Sequence, residues 1–399
     1  MPDNSAPDKD SILSGDAARE TESRLDELFA YIQSESENFL GYPCNQAFDY
    51  SPLDRFIKYS LNNVGDPFLP STFKLNTHAI ECEVIEQFAR FTRAVPEDVW
   101  GYVTNGGTEG NMYGFYLARE LYPEGIVYFS EDTHYSVSKI LRLLKSKSIM
   151  IKSQDNGEVD YDDLRETIRI HRDTPPIIFA NIGTTMKGAV DNLDTINGIL
   201  DELALPDHYI HADAALSGMI LPFVENPVAF GFDAGIDSIS ISGHKMIGAP
   251  FPCGVVLARK QNVRRIARSV EYIGTLDTTL SGSRNALSPL FLWYALRQHG
   301  EQGYKKIIQA CFDMADYAIE KLASLGLDPW RNEYSNSVVF NRPAESIVHQ
   351  WQLAVQGPVA HIITMPHVST EQIDRFVQDL RNSSAGRNSS DNDSSESKR

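Results

Sequence analysis

Six short β-rich runs recur through the middle of this chain, at 100–104, 126–129, 177–181, 208–212, 238–241 and 254–258. Between and beside them the apolar residues follow a helical period, at 23–37, 77–92, 110–121, 160–170, 286–298, 304–324 and 371–381. The runs lack the clean in-out alternation of a sheet that is wet on one side. They predict a mostly parallel sheet with helices covering both faces, an α/β fold. Ligands of such sheets bind beyond the carboxyl ends of the strands, so the residues that follow each run are the candidates for chemistry.

A chain of 399 residues is too long for one small core. The order of elements predicts an N-terminal helical segment at 23–75, a large domain at 76–285 and a smaller C-terminal α+β domain at 286–381. Residues 1–22 and 382–399 are polar and are expected to be disordered tails. No stretch approaches eighteen apolar residues and no basic segment leads into an apolar one, so no membrane partner and a cytoplasmic location are expected. The formal charge of -18 argues against nucleic acid as a partner. Cys44, Cys82, Cys253 and Cys311 are far apart with no C-x-x-C pair, which predicts reduced thiols and no thiolate metal site.

Three segments carry candidate chemistry. Thr104-Asn105-Gly106-Gly107-Thr108-Glu109-Gly110-Asn111 follows a strand and opens a helix. Its paired glycines let backbone approach a ligand, Thr108 is expected to cap the helix, and the free N–H groups favour an anion such as phosphate. His134 comes just after the run that ends at Phe129, where an imidazole can lie on another ring. In His208-Tyr209-Ile210-His211-Ala212-Asp213, period-two alternation puts His211 and Asp213 on one face and His208 on the other, too few to complete a metal site. A carboxylate at the end of an apolar strand calls for a cationic partner, and a protonated pyridine nitrogen is one. Finally Ser242-Gly243-His244-Lys245 places an ammonium where a strand ends, between Gly243 and Gly248.

In order and spacing these segments resemble the pyridoxal 5′-phosphate (PLP) dependent group II amino acid decarboxylases. Within that group the chain is most similar to bacterial histidine decarboxylases and plant serine decarboxylases. The likeness also rests on Gly41-Tyr42-Pro43, Asn181-Ile182-Gly183-Thr184-Thr185 and Ala214-Ala215-Leu216-Ser217-Gly218, and it runs over 39–380. The resemblance implies a large domain of the fold-type I PLP-dependent transferase kind. It also implies that Lys245 carries the cofactor as an imine and Asp213 pairs with its ring nitrogen, while His134 and Ala215 cover the ring faces. Gly107, Thr108, Ser242 and His244 then surround the phosphate, with Thr185 near the phenolic oxygen. It implies a homodimer or higher homo-oligomer in which the loop 272–284 closes over the neighbouring site, Ser283 reaching the phosphate and Tyr272, another residue of that loop, or His134 giving a proton to Cα.

The expected substrate is an amino acid that contacts His134, Tyr42 and Ile80. Histidine comes first, with serine, or an aliphatic residue such as methionine or valine, as alternatives. His78 and Ile80 stand where aromatic residues are expected, and Ala286-Leu287 replaces an expected Gly-His. A PLP-dependent aminotransferase would require an arginine for the substrate carboxylate, for which Arg331 and Arg342 are the candidates. His349, His361 and His367 read as surface or packing residues, and the basic residues over 259–268 as a solvated helix face.

Overall fold

The structure, a computed structural model, describes residues 15–266, 268–270 and 275–396. Its centre is a seven-stranded sheet of β1 (Val99–Thr104), β2 (Ile126–Ser130), β3 (Lys147–Ile151), β4 (Pro176–Asn181), β5 (Tyr209–Asp213), β6 (Ser238–Ser242) and β7 (Gly254–Arg259). The spatial order is β1-β7-β6-β5-β4-β2-β3. Pairing is parallel from β6 to β3, while β7 runs antiparallel to both β6 and β1.

Side chains of successive strand residues enter two different cores. Val99, Val103, Ile178, Ala180, Ile210 and Ile239 face one; Trp100, Tyr102, Ile177, Phe179 and Tyr209 face the other. This is why the runs show no polar alternation: both faces are dry. Helices α2 (His78–Phe91), α6 (Leu193–Glu202) and α7 (Leu287–Ala323) cover the first face, with α5 (Tyr161–Ile170) beside α6. Helices α3 (Gly107–Leu121) and α4 (Ser136–Leu144) cover the second. Two helices were expected across 286–324, and α7 does break at Gly300, whose φ of 58° and ψ of -179° are not helical.

Beyond α7 an antiparallel sheet of β8 (Ser337–Asn341), β9 (Ala354–Gln356) and β10 (Val359–Ile363) is ordered β8-β10-β9. It packs with α8 (Glu345–Gln350) and α9 (Thr370–Glu396), where Phe376 meets Phe340 and Trp351 edge-on.

The N-terminal part differs from expectation. Helix α1 (Asp16–Ser36) begins inside the stretch read as a tail, and α9 continues to Glu396 inside the other, because a nucleated helix lengthens by one backbone bond per residue. After α1, residues 38–75 are largely irregular, because Pro43, Pro52, Pro67 and Pro70 interrupt any helix. No residue of α1 is buried; Leu25, Leu28, Phe29 and Ile32, spaced as one helical stripe, are all more than half exposed.

A buried ion pair ties this region to the sheet. Arg284 is 4 % exposed and Glu81 0 %, and the guanidinium bonds the carboxylate directly. Glu81 also accepts from Val103 N at 2.8 Å and Asn63 Nδ2 at 2.6 Å, while Arg284 Nη2 donates to Gly65 O at 3.1 Å.

Candidate active site

The carboxyl ends of β1, β4, β5 and β6 open on a cavity of about 400 Å³. At one end, Gly106 takes a φ of 131°, a conformation suited to glycine, and lets the chain turn from β1 into α3. Glu109 holds this turn, accepting from Asn105 N at 2.8 Å and Asn105 Nδ2 at 2.7 Å. Thr108 is not the cap: it lies in the first helical turn, and no side chain caps α3. The leading amides therefore keep their hydrogens for a ligand. A Cβ at Gly107 would stand 2.9 Å from Ser242 Oγ, so the missing side chain keeps this cradle open. His244 lies beside it, its Nδ1 2.9 Å from Cys253 O.

Across the cavity, parallel register sets Asn181 beside Asp213 and Asp213 beside Ser240. Both carboxylate oxygens of Asp213 accept hydrogen bonds, Oδ1 from Ala215 N at 3.1 Å and Oδ2 from Asn111 Nδ2 at 2.8 Å. Asn181 Nδ2 donates to Ser130 Oγ and to Asp191; burial pushes the Asp191 carboxyl up to about 7. His134 is oriented by Ser136, whose backbone N donates to Nδ1 at 3.3 Å, leaving the hydrogen of the neutral ring on Nε2. Burial pulls the His134 pKa down, opposed by Asp213 and reinforced by Lys245 and Lys139.

Lys245 follows β6 and lines the same cavity. Burial lowers its pKa, with Asp213 and Cys44 opposing. An amine so placed loses its proton more readily than a surface lysine and becomes a better nucleophile. Its loop is held from outside: Asn45 N donates to Lys245 O and Asn45 Nδ2 to Met246 O, both at 3.1 Å.

The cavity thus gathers Lys245, His134, Asp213, Gly107, Thr108, Thr185, Ala215, Ser242, His244 and Tyr42. It does not include Ile80, on the N-terminal turn of α2, or Ser283, whose Oγ accepts from Asn62 Nδ2 at 3.0 Å. Ser283 pairs with Val64 in a short two-stranded ribbon, and Ile80 lies on α2. Tyr272 lies outside the described residues. Asn111, Asn181 and His361, the last expected as a surface or packing residue, also line the cavity. His361 lines the cavity, its Nδ1 2.8 Å from Met186 O and its Nε2 3.1 Å from Gly41 O. No local pattern signals such a residue, because its partners are 175 and 320 positions away.

These groups fit PLP. An amine can meet an aldehyde, a carboxylate can meet a ring nitrogen, uncapped helix amides can meet a phosphate, and an imidazole can cover a ring face. Comparison with known proteins agrees. The chain matches the pyridoxal-dependent decarboxylase conserved domain over residues 105–328. It is 48% identical to a histidine decarboxylase of Mesorhizobium japonicum over 90% of this chain and 97% of that one. It is 50% identical to a histidine decarboxylase of Acinetobacter baumannii over 90% and 94%. Among solved structures, the L-methionine decarboxylase from Streptomyces sp. 590 superposes with a TM-score of 0.83 at 25% identity, over 92% of this chain and 96% of that one.

Proposed function

Because the chain belongs to the pyridoxal-dependent decarboxylase family, we propose that it removes the carboxyl group of L-histidine to give histamine and carbon dioxide. It is a PLP-dependent enzyme. When bound, the cofactor supplies an aldehyde that captures the substrate amine and a ring that takes up the electrons released from the bond to the carboxylate. Lys245 would hold the cofactor through its amine and release it when substrate binds. Asp213 would keep a proton on the ring nitrogen. His134 and Ala215 would cover the ring faces, the α3 amides with Ser242 and His244 would hold the phosphate, and Thr185 would serve the phenolic oxygen. Tyr42 and His134 contact the substrate. Tyr272 is the proposed proton donor to Cα, with His134 as the alternative.

The observation that carries the reading is the convergence of Lys245, Asp213 and the uncapped α3 amides on one cavity; the identity to histidine decarboxylases supports the substrate. An aminotransferase is disfavoured because neither candidate arginine reaches the cavity. Arg331 is bound to Asp316 and Arg342 to Glu345, and neither lines the cavity. A carboxylate that must leave is better left unclamped.

We further propose a cytoplasmic homodimer or higher homo-oligomer. The exposed stripe of α1 supports a second copy as its cover. Ile80 and Ser283, away from the pocket of their own chain, are then free to serve the neighbouring one. All four cysteines are unpaired, in keeping with a reducing compartment. Among the described residues, no helix is long and apolar enough to cross a membrane.

The test is carbon dioxide release by the PLP-loaded protein from each of the twenty amino acids, with the amine identified. Release from histidine alone is expected. Release from serine or an aliphatic amino acid moves the substrate, and silence on all twenty refutes the reading.

A further inference from the structure

Asp213 is the near end of a hydrogen-bond chain that runs back into the aromatic core between α3 and the sheet. Asn111 Nδ2 donates to Asp213 Oδ2 at 2.8 Å, and Asn111 Oδ1 lies 3.0 Å from His211 Nε2. An amide oxygen only accepts, so His211 carries its hydrogen on Nε2. The imidazole is fully buried and burial pushes its pKa down to about 3, so the ring is neutral and Nδ1 must accept. Its donor is Ser238 Oγ at 2.7 Å. With its hydrogen committed, that hydroxyl accepts from Tyr209 OH at 2.8 Å. Every link from Tyr209 to Asp213 therefore points toward the carboxylate.

The packing is built around this ring. Gly114 stands in the middle of α3, where glycine is less favourable than alanine. A Cβ there would lie 2.1 Å from His211 Nδ1. Phe115 and Phe179 flank the imidazole on other sides, with ring centroids 5.9 and 5.4 Å away. A row of polar groups in such surroundings costs desolvation energy that apolar residues would avoid. Its outlet at the cavity is the Asn111–Asp213 pair.

We propose that Tyr209, Ser238, His211 and Asn111 form a positioning relay that fixes Asp213 Oδ2 and supplies it with a donor from behind, so that the carboxylate meets the cofactor's ring nitrogen as an oriented acceptor. His211 acts through Asn111 and is a positioning residue. The proposal rests on the assignment of Asp213 to that nitrogen. Hydrogen bonds between neutral groups reinforce one another along a chain, so a break far from the cavity is felt at its end, more weakly with distance.

The experiment loads the protein with PLP carrying ¹⁵N in the pyridine ring and reads that resonance together with kcat and KM. His211→Phe keeps the ring volume and removes both nitrogens. It is expected to bind cofactor, lower kcat about tenfold with KM little changed, and move the resonance toward that of neutral pyridine. His211→Gln restores a donor to Asn111 and is expected to recover most of both signals. If His211→Phe does not fold, Ser238→Ala is read instead, with a smaller shift in the same direction and a loss in kcat of about threefold. A folded, loaded variant with the parent's resonance and kcat overturns the relay. A parent whose ring nitrogen is already unprotonated overturns the assignment of Asp213 and the relay with it. A protonated parent in which Asp213→Asn moves the resonance and His211→Phe does not overturns the relay alone.

Discussion

Replacing Arg284 by methionine removes a buried cation while keeping roughly its volume. The Glu81 carboxylate left behind is inaccessible to water and keeps two donors, Val103 N and Asn63 Nδ2. Breaking a buried pair by removing one partner costs about 3–5 kcal/mol. The two remaining donors place Arg284→Met toward the lower end, although Gly65 O also loses its donor. At about 2.1 cal/mol/K of unfolding entropy per residue, such a loss lowers the melting midpoint by about 4–6 °C. The double change Arg284→Met with Glu81→Gln removes the uncompensated charge and is expected to return about 2 kcal/mol, since neutral replacements of a buried pair are far better tolerated than half a pair. Urea unfolding followed by circular dichroism, with refolding checked from the denatured side, measures both. An Arg284→Met protein as stable as the parent, or a double variant less stable than the single one, would refute the reasoning.

Two further outcomes are expected. Lys245→Ala abolishes the visible absorbance of the bound cofactor and turnover together, and an unchanged spectrum would remove Lys245 from its role. Stability also carries a pH signature: His211, ordinarily near 6.5 and pushed down to about 3, contributes stability that is full above pH 6.5 and lost as pH falls toward 3, about 2 kcal/mol of it by pH 5. Asp191, raised to about 7, has the opposite sign. The measurement is therefore the difference between parent and His211→Phe at pH 7 and pH 5, where the parent should lose about 2 kcal/mol more; equal losses would mean that the ring is not held neutral.

The six expected strands all appear, because runs such as Ser238–Ser242 are buried on both faces and carry their signal in composition alone. Strand β3 went unseen: Lys147–Ile151 lies at the sheet edge and is mostly exposed, so its residues are not selected for apolarity. Strand β5 starts at Tyr209, one residue later than expected, since His208 turns back to bond Leu205 O. Lys245, Asp213 and the Gly106-Gly107 turn were legible because each sits where a strand ends. Asn111 was not, for a helical asparagine declares nothing until the helix is laid over β5. His211 was set aside as half of an incomplete metal site. The face assignment was right, since it shares Asn111 with Asp213, but its partner is an amide from another element.

The strand of chain that leads from α1 to the lysine loop is stitched at both margins. Gln352 and Gln372 donate to Glu35 O and Glu37 O, Ile363 N to Leu40 O, and His361 reaches Gly41 O; on the other side Asn45 binds the Lys245 loop. These partners are separated by some of the longest sequence distances in the molecule, 317 to 335 positions on the C-terminal side. During synthesis the segment emerges long before these partners and must wait for them before it can be fastened. The pocket wall that it forms is consequently a late product of folding, with the loop-closure cost that such separation carries. A nascent chain stalled before about residue 350 lacks the partners that finish this wall, which ties the maturation of the site to the synthesis of β10 and α9.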